Sequence, residues 1–473
     1  MDNPSRVNSY TSAFISLTFL FFMWGFITVM NDILVNTFQG IFDLTPIQRS
    51  FVQMSFFGAF FIVSFIYFLV SSISGKDPIN RIGYGNGIMI SLFICGIGCL
   101  SFYPAAEMNS YGAFLAALFI LATGVTLLQI CANPYAAILG KPETSSSRLN
   151  LAQGFNSLGT TIGPIIGVLL IYNLFSKGEQ DVYSVGKTYL LYGFVFILIG
   201  ILVKLAKLPS FINKEKIEPG LGVLKNRHLV LGFFAIFFYV GSEVSIGTWL
   251  VEFLKDKRNI GLGEEEASYF LAYFWGGLMI GRLMASQSLN EDISTIRKYA
   301  SMILIAIAVF LLIYFATAIK LNNGNFHFEL LSFSKVYLYL TYVALCFVAF
   351  VIGAGKPGRS LMVFCLINAF LLLVAIFSTG YIAMWSVIGT GLFFSIGWSN
   401  IFTLAIKDLG KYTSQGSSLL IMAVVGGAVL PRIQSQIIES YDIQTSFIIP
   451  LLGMIYLIFY GWKGHKIKLH NLH

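Results

Sequence analysis

The sequence predicts an all-α membrane protein with about fourteen transmembrane helices. Of its 473 residues, 56% are hydrophobic and only 11% are charged, and the mean hydropathy is +0.78. Soluble domains carry about 25% charged residues, so this chain cannot cover a water-facing surface with polar groups. The composition therefore excludes a cytosolic enzyme, a nucleic-acid binder and a disordered scaffold. It predicts that the protein is embedded in the lipid bilayer, which is its first expected partner.

The apolar runs are long enough for helices that cross a bilayer. A hydrocarbon core of about 30 Å needs about 20 helical residues, and the sequence lacks the alternation typical of outer-membrane strands. The first run has no small-residue cleavage site, so it is a span rather than a signal peptide. The predicted spans are residues 13–37, 50–73, 83–103, 111–139, 148–175, 188–206, 228–254, 267–288, 299–319, 335–354, 361–379, 381–406, 415–434 and 445–462.

The distribution of Lys and Arg predicts that both termini are cytoplasmic. In that orientation twenty of these residues lie on the cytoplasmic side, nine lie outside, and Arg282 stays within a span. Cytoplasmic loops carry the excess of positive charge in membrane proteins. The bias accounts for the net charge of +8 without a nucleic-acid partner. We expect a multi-pass protein of the cell inner (plasma) membrane.

A weak internal repeat predicts two related halves. Residues 50–59 align with 268–277 at an offset of 218. Four later matches share an offset of 267: Gly124 with Gly391, Asn133 with Asn400, Gly159 with Gly426, and Pro164 with Pro431. The alternative is chance similarity in an apolar chain.

The difference between the two offsets predicts an insertion in the second half. The 49 extra residues are enough for two helices and a short loop, which we place near 299–354. The predicted organisation is a six-helix bundle at 1–207, a cytoplasmic linker at 208–227 with two prolines, and a second bundle at 228–473.

Ionisable residues inside a bilayer are costly, so each is a candidate functional group. Asp32 lies toward the external end of the first span. Burial disfavours the charged form of a carboxyl group, which makes Asp32 a candidate proton carrier, with a hydrogen-bonded interface carboxylate as the alternative. Glu243, near the middle of the seventh span, could bind a ligand hydroxyl, coordinate a cation or pair with a neighbouring helix. Arg282 is expected to snorkel or to close a cytoplasmic gate.

Two pairs of amides lie in the fourth and fifth spans. Gln129 and Asn133 are four residues apart, and Gln153 and Asn156 are three apart, so each pair projects from one helix face. Amides supply donors and acceptors without the cost of a charge. The pattern favours a cavity for a neutral polyhydroxylated ligand, and interhelical hydrogen bonding is the alternative.

Trp24 is the preferred candidate among the aromatic residues for stacking on a sugar ring. It precedes Asp32 by eight residues, about two helical turns, and so lies on nearly the same face. Most other rings must pack in the core or face lipid, because 16% of the chain is aromatic.

Cysteine and histidine give no sign of a catalytic or metal centre. The five cysteines lie in apolar stretches without metal-ligand spacing, and the five histidines lie in loops, at span ends or in the tail. An enzyme would need a cluster of nucleophile, base or metal ligands. We therefore predict no enzyme, no metal and no cofactor.

Several sequence blocks resemble the fucose–galactose–glucose:proton symporter family of the major facilitator superfamily. The most specific is Arg-Leu-Asn-Leu-Ala-Gln-Gly-Phe-Asn-Ser at 148–157. The resemblance covers nearly the whole chain except the region near 290–357. The other blocks are residues 22–26, Asn31-Asp32, 132–135, 239–247 and 399–404.

This resemblance implies two six-helix halves that import a monosaccharide by alternating access in symport with a proton. In the fucose branch an acid in the first span, matched by Asp32, serves proton coupling, and the amide matched by Asn156 lines the cavity. That branch has a second acid at the position of Gln129. The neutral Gln129 in its place implies the glucose/galactose branch. Residues 80–86 keep part of the superfamily's loop but lack its following basic pair.

The hypothesis is a monomeric glucose or galactose symporter coupled to H⁺ through Asp32 and Glu243. Its alternatives are a sodium-coupled symporter, with Glu243 as a second carboxylate, and a membrane sensor or scaffold that does not transport. The residues expected to bind substrate are Trp24, Asn31, Gln129, Asn133, Gln153, Asn156 and Asn400.

Overall fold

The computed structural model describes residues 4–176, 181–206, 208–209, 211, 219–258, 260–322 and 325–467. Within this part the chain is helical apart from one short hairpin. Part of the predicted linker, residues 210 and 212–218, lies outside the described residues.

The first half of the described chain consists of helices that match the predicted spans, with one break and one short addition. The third predicted span is divided at Ser101, and a short helix precedes it in the loop. The helices are α1 (Pro4–Phe42), α2 (Pro46–Ser74), α3 (Pro78–Ile82), α4 (Tyr84–Leu100), α5 (Phe102–Glu107), α6 (Tyr111–Ile138), α7 (Ser145–Val168) and α8 (Val182–Leu205).

The second half contains ten further α-helices in its described residues. Two predicted spans, 381–406 and 415–434, are each formed by two consecutive helices. The helices are α9 (Arg227–Lys255), α10 (Glu264–Ser288), α11 (Thr295–Ala316), α12 (Tyr337–Gly353), α13 (Pro357–Phe377), α14 (Gly380–Phe394), α15 (Gly397–Ile406), α16 (Thr413–Met422), α17 (Gly426–Ser440) and α18 (Ile448–Phe459).

A two-stranded antiparallel hairpin lies between α11 and α12. Strand β1 (Ile319–Asn322) pairs with β2 (Asn325–Phe328), with Ile319 opposite Phe328. The prediction of an all-α fold is therefore incomplete. The signal was present in the sequence, since Asn323-Gly324 separates the strands and this dipeptide favours two-residue hairpin turns.

Twelve helical segments in the described part of the chain are long and apolar enough to cross a membrane. They include α11 but neither α10 nor α12. Helix α12 has only 17 residues, and α10 has 25 but begins with three glutamates and contains Arg282. The structure thus shows a helical membrane protein with many spans. The predicted total of fourteen would require that α10 and α12 also cross the membrane.

The chain folds into two compact units, and neither is a single continuous stretch. The first unit comprises Met1–Gly140, Leu158–Lys225 and Asp408–Ala423. The second comprises Lys141–Ser157, Asn226–Lys407 and Val424–His473. The early part of α7 therefore packs within the second unit, and α16 packs within the first. The predicted domains 1–207, 208–227 and 228–473 stay a prediction.

Two glycines matched in the internal repeat make equivalent close helix contacts. In the first unit, a Cβ at Gly159 of α7 would lie 2.2 Å from the carbonyl oxygen of Phe22 in α1. In the second unit, a Cβ at Gly426 of α17 would lie 2.1 Å from the carbonyl oxygen of Phe237 in α9. Only glycine permits such an approach. The equivalence supports the prediction that the two halves are related.

Candidate functional site

The residues predicted to bind substrate and cation are divided between the two compact units. The first unit contains Trp24, Asn31, Asp32, Gln129 and Asn133. The second contains Gln153, Asn156, Glu243 and Asn400. Asp32 lies in α1, but its side chain is outside the described part of the structure.

In the first unit, Trp24 and Asn31 are buried on α1. The Trp24 ring packs against Phe21, with ring centroids 5.3 Å apart. The Asn31 Nδ2 donates to Gln53 Oε1 of α2 at 2.7 Å, whereas the buried Asn31 Oδ1 has no hydrogen-bond partner among the described residues. Asn31 thus joins two helices and retains one unused acceptor.

Gln129 and Asn133 of α6 share a helix face, as the spacing predicted. Both are buried, and the Asn133 Nδ2 donates to the Gln129 backbone oxygen at 2.9 Å. The Gln129 Nε2 is buried and has no partner within the described structure. Buried polar groups are normally hydrogen-bonded, so this amide is available to a ligand or water.

In the second unit, the first half of α7 carries several buried polar side chains. Gln153 and Asn156 are both buried. One residue further on, the Ser157 hydroxyl donates to the Gln153 backbone oxygen at 3.1 Å. The two predicted amides and Ser157 therefore occupy a single turn of helix.

Asn400 of α15 takes part in hydrogen bonds between helices. Its Oδ1 accepts from Asn150 Nδ2 of α7 at 3.1 Å, and its Nδ2 donates to the Pro357 backbone oxygen at the start of α13 at 3.2 Å. These bonds hold three helices together. Contact between Asn400 and substrate stays a prediction.

Glu243 pairs with Arg282 of α10, which was one of the alternatives for this residue. The distance from Glu243 Oε1 to Arg282 Nη2 is 4.0 Å. Arg282 is only 8% exposed, so the expectation that it snorkels is wrong. Its Nη1 donates to the Ser157 hydroxyl at 2.7 Å and its Nε donates to the Ser395 backbone oxygen at 3.3 Å. These two acceptors keep the guanidinium inside the unit.

The surroundings of Glu243 contain unsatisfied hydrogen-bonding groups. Within the described structure, Glu243 Oε2 and the hydroxyl of Tyr239 are buried and make no hydrogen bond of good geometry, although Tyr239 lies close enough to interact with both Glu243 and Arg282. Tyr239 precedes Glu243 by one turn of α9. A proton, a cation or water at this position would complete their hydrogen bonding.

Asp77 anchors the loop between α2 and α4 in the first unit. It caps α3, where its Oδ1 accepts from the Tyr67 hydroxyl at 2.6 Å and from the backbone nitrogens of Ile79 and Asn80 at 2.9 and 3.1 Å. Burial raises the pKa of Asp77, and these hydrogen bonds oppose that rise. The sequence reasoning did not single out this carboxyl group.

Neutral hydrogen bonds join the region around this loop to residues 411–415. The Asn80 Nδ2 donates to the Lys411 backbone oxygen at 3.4 Å, and the hydroxyls of Tyr84 and Ser414 lie 3.1 Å apart. The Gln415 Nε2 donates to the Ser72 hydroxyl at 2.7 Å. These contacts lie where the superfamily's basic pair is missing.

Residues that sequence reasoning missed are mainly small polar side chains on neighbouring helices. Ser157, Asn150 and Gln53 were not predicted as partners of the candidate residues, because their types are common inside spans. Among the described residues, no group of three or more His, Cys, Asp or Glu could hold a metal ion, and the five cysteines are buried and free.

Comparison with known proteins identifies the family. The sequence model of the Major Facilitator Superfamily matches residues 14–328. The chain belongs to the major facilitator superfamily. A glucose/galactose transporter of Brucella abortus is 39% identical over 472 residues, which cover 98% of this chain and 96% of that protein. The L-fucose-proton symporter of Escherichia coli is 25% identical over 476 residues, which cover 95% and 92%.

These similarities confirm membership of the fucose–galactose–glucose:proton symporter family. A solved structure of the superfamily transporter FucP in the outward conformation matches 96% of this chain and 98% of its own, with a TM-score of 0.72 and 25% identity. A bacterial homologue of the iron transporter ferroportin shares the fold alone, at a TM-score of 0.64 and 11% identity. The relatives are transporters, so the prediction that this membrane protein is not an enzyme is confirmed.

Proposed function

We propose that this transporter imports a hexose, glucose or galactose, by alternating access in symport with a proton. The observation that carries the proposal is 39% identity, across 98% of the chain, to a protein named a glucose/galactose transporter. The neutral Gln129, at a position where the resemblance implies an acid in the fucose branch, favours the same sugars.

Buried amides supply the hydrogen bonds that a neutral sugar needs. Gln129 and Asn133 on α6, and Gln153 and Asn156 on α7, are all buried in the described structure. An amide can donate to one hydroxyl and accept from another. The unpartnered Gln129 Nε2 supports this role most directly. Trp24 is proposed to stack on the ring of the sugar.

Asp32 and Glu243 are the proposed cation-coupling residues. Proton coupling is favoured because the related Escherichia coli protein is named a proton symporter. The unpartnered Glu243 Oε2 beside the Tyr239 hydroxyl is a position at which a proton would gain a hydrogen bond. Sodium is the alternative, because a carboxylate is also a suitable ligand for Na⁺.

We infer fourteen spans rather than twelve, with both termini cytoplasmic and the protein in the inner membrane. Helix α10 has 25 residues, enough to cross, and α12 could cross a thinned or locally deformed bilayer with its 17. Together with the twelve clear spans they give fourteen, and an even number of spans places both termini on the same side of the membrane. The excess of Lys and Arg in the connections assigned to the cytoplasm supports this orientation.

Uptake by the purified protein in proteoliposomes tests substrate and coupling ion together. Radiolabelled D-glucose and D-galactose are offered with an inward pH gradient or an inward sodium gradient, applied separately. We expect accumulation with the pH gradient, abolished by a protonophore, and weaker competition by L-fucose than by either hexose.

The two gradients separate the alternatives. Accumulation driven by sodium alone would show that the sodium-coupled alternative is right. Failure to accumulate either hexose under both gradients, with functional control vesicles, would contradict the proposed function.

A further inference from the structure

We propose that Arg282 is a positioning residue for cation coupling, which transmits the charge state of Glu243 to the turn of α7 that carries Gln153 and Asn156. The inference rests on the proposed function and adds to it a physical link between cation and sugar. All of these residues belong to the second compact unit.

Each nitrogen of the Arg282 guanidinium is directed to a different partner. The Nη2 faces Glu243 Oε1 at 4.0 Å, the Nη1 donates to the Ser157 hydroxyl at 2.7 Å, and the Nε donates to the Ser395 backbone oxygen at 3.3 Å. The contact with the carboxylate is the longest of the three. A change of charge on Glu243 therefore alters the balance of forces on a group that is bonded directly to α7.

Helix α7 approaches α10 closely near this contact. A Cβ at Gly154 would lie 2.3 Å from Leu283 Cδ2, so the two helices pack together one turn before Ser157. Ser157 also donates to the Gln153 backbone oxygen and directly follows Asn156. A shift of the Arg282 side chain would move or release the turn that presents both amides.

The charge on Glu243 decides whether Arg282 is compensated. A buried guanidinium beside an anionic carboxylate is balanced, whereas one beside a neutralised carboxyl group is an isolated buried charge, which is unfavourable. Binding of a proton or another cation at Glu243 would therefore favour a state in which Arg282 leaves Ser157 for water. Two ligands that bias one conformational equilibrium are coupled by linkage. The charged and titratable groups facing Glu243 are Arg282 of α10 and Tyr239 of α9.

The test compares gradient-driven accumulation with gradient-free counterflow exchange of D-galactose in the same proteoliposomes. Ser157→Ala keeps both charges and removes the hydrogen bond from Arg282 to α7, together with the bond from the Ser157 hydroxyl to the Gln153 backbone oxygen. We expect its ratio of accumulation to exchange to fall about tenfold. An unchanged ratio in Ser157→Ala would overturn the proposal.

A second set of variants separates coupling from structural pairing. Glu243→Gln leaves Arg282 without an anion and should lower the unfolding temperature. The double variant Glu243→Gln/Arg282→Gln removes both charges, so we expect its unfolding temperature to recover while accumulation stays at least about tenfold below the wild type. Recovery of both properties would show that the pair is only structural. Absence of accumulation in the wild type would instead contradict the proposed function.

Discussion

At the scale of single residues, the buried amides and acids bear most of the proposed chemistry. Asn156 lies on α7 beside Ser157, and Asp32 lies on α1. An amide inside a membrane protein either joins helices or binds a ligand. Asn400 shows the first use, since both of its polar groups bond to other helices. Substitution distinguishes the two uses.

Asn156→Ala should weaken sugar binding. Loss of one hydrogen bond to a hydroxyl costs about 1–2 kcal/mol, which corresponds to a rise in the dissociation constant of about five- to thirtyfold. The measurement is D-galactose binding by the purified variant, with Asn86→Ala, an exposed amide on α4, as control. A deoxygalactose that lacks the hydroxyl bound by Asn156 should bind the variant and the wild type equally well. Such a result identifies the hydroxyl that Asn156 contacts.

Asp32→Asn should abolish proton-driven accumulation, because an amide cannot take up and release a proton. The readout is uptake of labelled hexose under an imposed pH gradient. Asp43→Asn is the matched control: Asp43 is exposed at the end of α1 with φ of 48°, a conformation that Asn also tolerates. Full proton-driven accumulation by Asp32→Asn would show that Asp32 is not the proton carrier.

At the scale of secondary-structure elements, helix ends and helix contacts determine whether the sites can form. Asp77 starts α3 and joins it to α2 through Tyr67. Gly159 and Gly426 allow a helix in each half to touch the backbone of another. The first feature depends on a short side chain with an oxygen acceptor, and the second on the absence of a Cβ atom.

Asp77→Ala should destabilise the protein by about 1–3 kcal/mol, because three donors lose their common acceptor. Asp77→Asn keeps an acceptor and removes a buried charge, so it should unfold close to the wild-type temperature. Thermal unfolding can be followed with a thiol-reactive fluorophore, since all five native cysteines are buried. Equal destabilisation by both substitutions would contradict the role of the acceptor.

The pH dependence of the Asp77 variants follows from the raised pKa of the carboxyl group. The folded protein holds this proton more tightly than the unfolded chain, so the contribution of Asp77 to stability is present below the unfolded pKa of about 4. That contribution is lost as the pH rises through the folded value. Asp77→Asn should lack this decrease, and a scan of unfolding temperature from pH 4 upward compares the two proteins.

Gly159→Ala and Gly426→Ala should each destabilise the protein, because the new methyl group would overlap a backbone carbonyl oxygen of the facing helix. Overpacking of this kind costs about 1–3 kcal/mol. Gly58→Ala in α2 is the control, since a Cβ there meets nothing within 4 Å and alanine favours a helix. The measurement is the unfolding temperature of the three variants. A decrease in Gly58→Ala as large as in the other two would contradict the proposed helix contacts.

At the scale of the whole molecule, the placement of α11 and α12 determines how the second half crosses the bilayer. Helix α11 has a clearly apolar span, whereas α12 is only 17 residues long. A pair of helices that crosses twice preserves the orientation of every later span. A pair that lies on the surface preserves it as well, so the topology of this pair needs a direct test.

Cysteine labelling should locate the loops on either side of α11. Ser332 and Glu291 are exposed, and the fourteen-span topology places Ser332 outside and Glu291 in the cytoplasm. In intact cells, Ser332→Cys should react with a membrane-impermeant maleimide, and Glu291→Cys should react only after permeabilisation. Labelling of both from outside, or of neither, would contradict the inserted transmembrane pair.

The sequence alone determined that this chain is a many-spanning helical transporter of its family. Low charge and long apolar runs require a fold that spans the membrane, and backbone groups in a bilayer must bond within a helix or a closed barrel. The absence of alternating polarity excludes the barrel. Specific blocks such as residues 148–157 carried the family resemblance. Helical spacing also placed Gln129 and Asn133 on one face.

Only the tertiary structure decided which polar groups meet. Glu243, Arg282 and Ser157 lie on three helices, and the Arg282–Ser157 hydrogen bond joins residues 125 positions apart. Periodicity shows the face on which a residue lies but not the helix that covers that face. The depth at which α7 and α10 touch depends on close packing at Gly154 and Leu283. That packing keeps Arg282 inside the protein, against the expectation from its place near a span end.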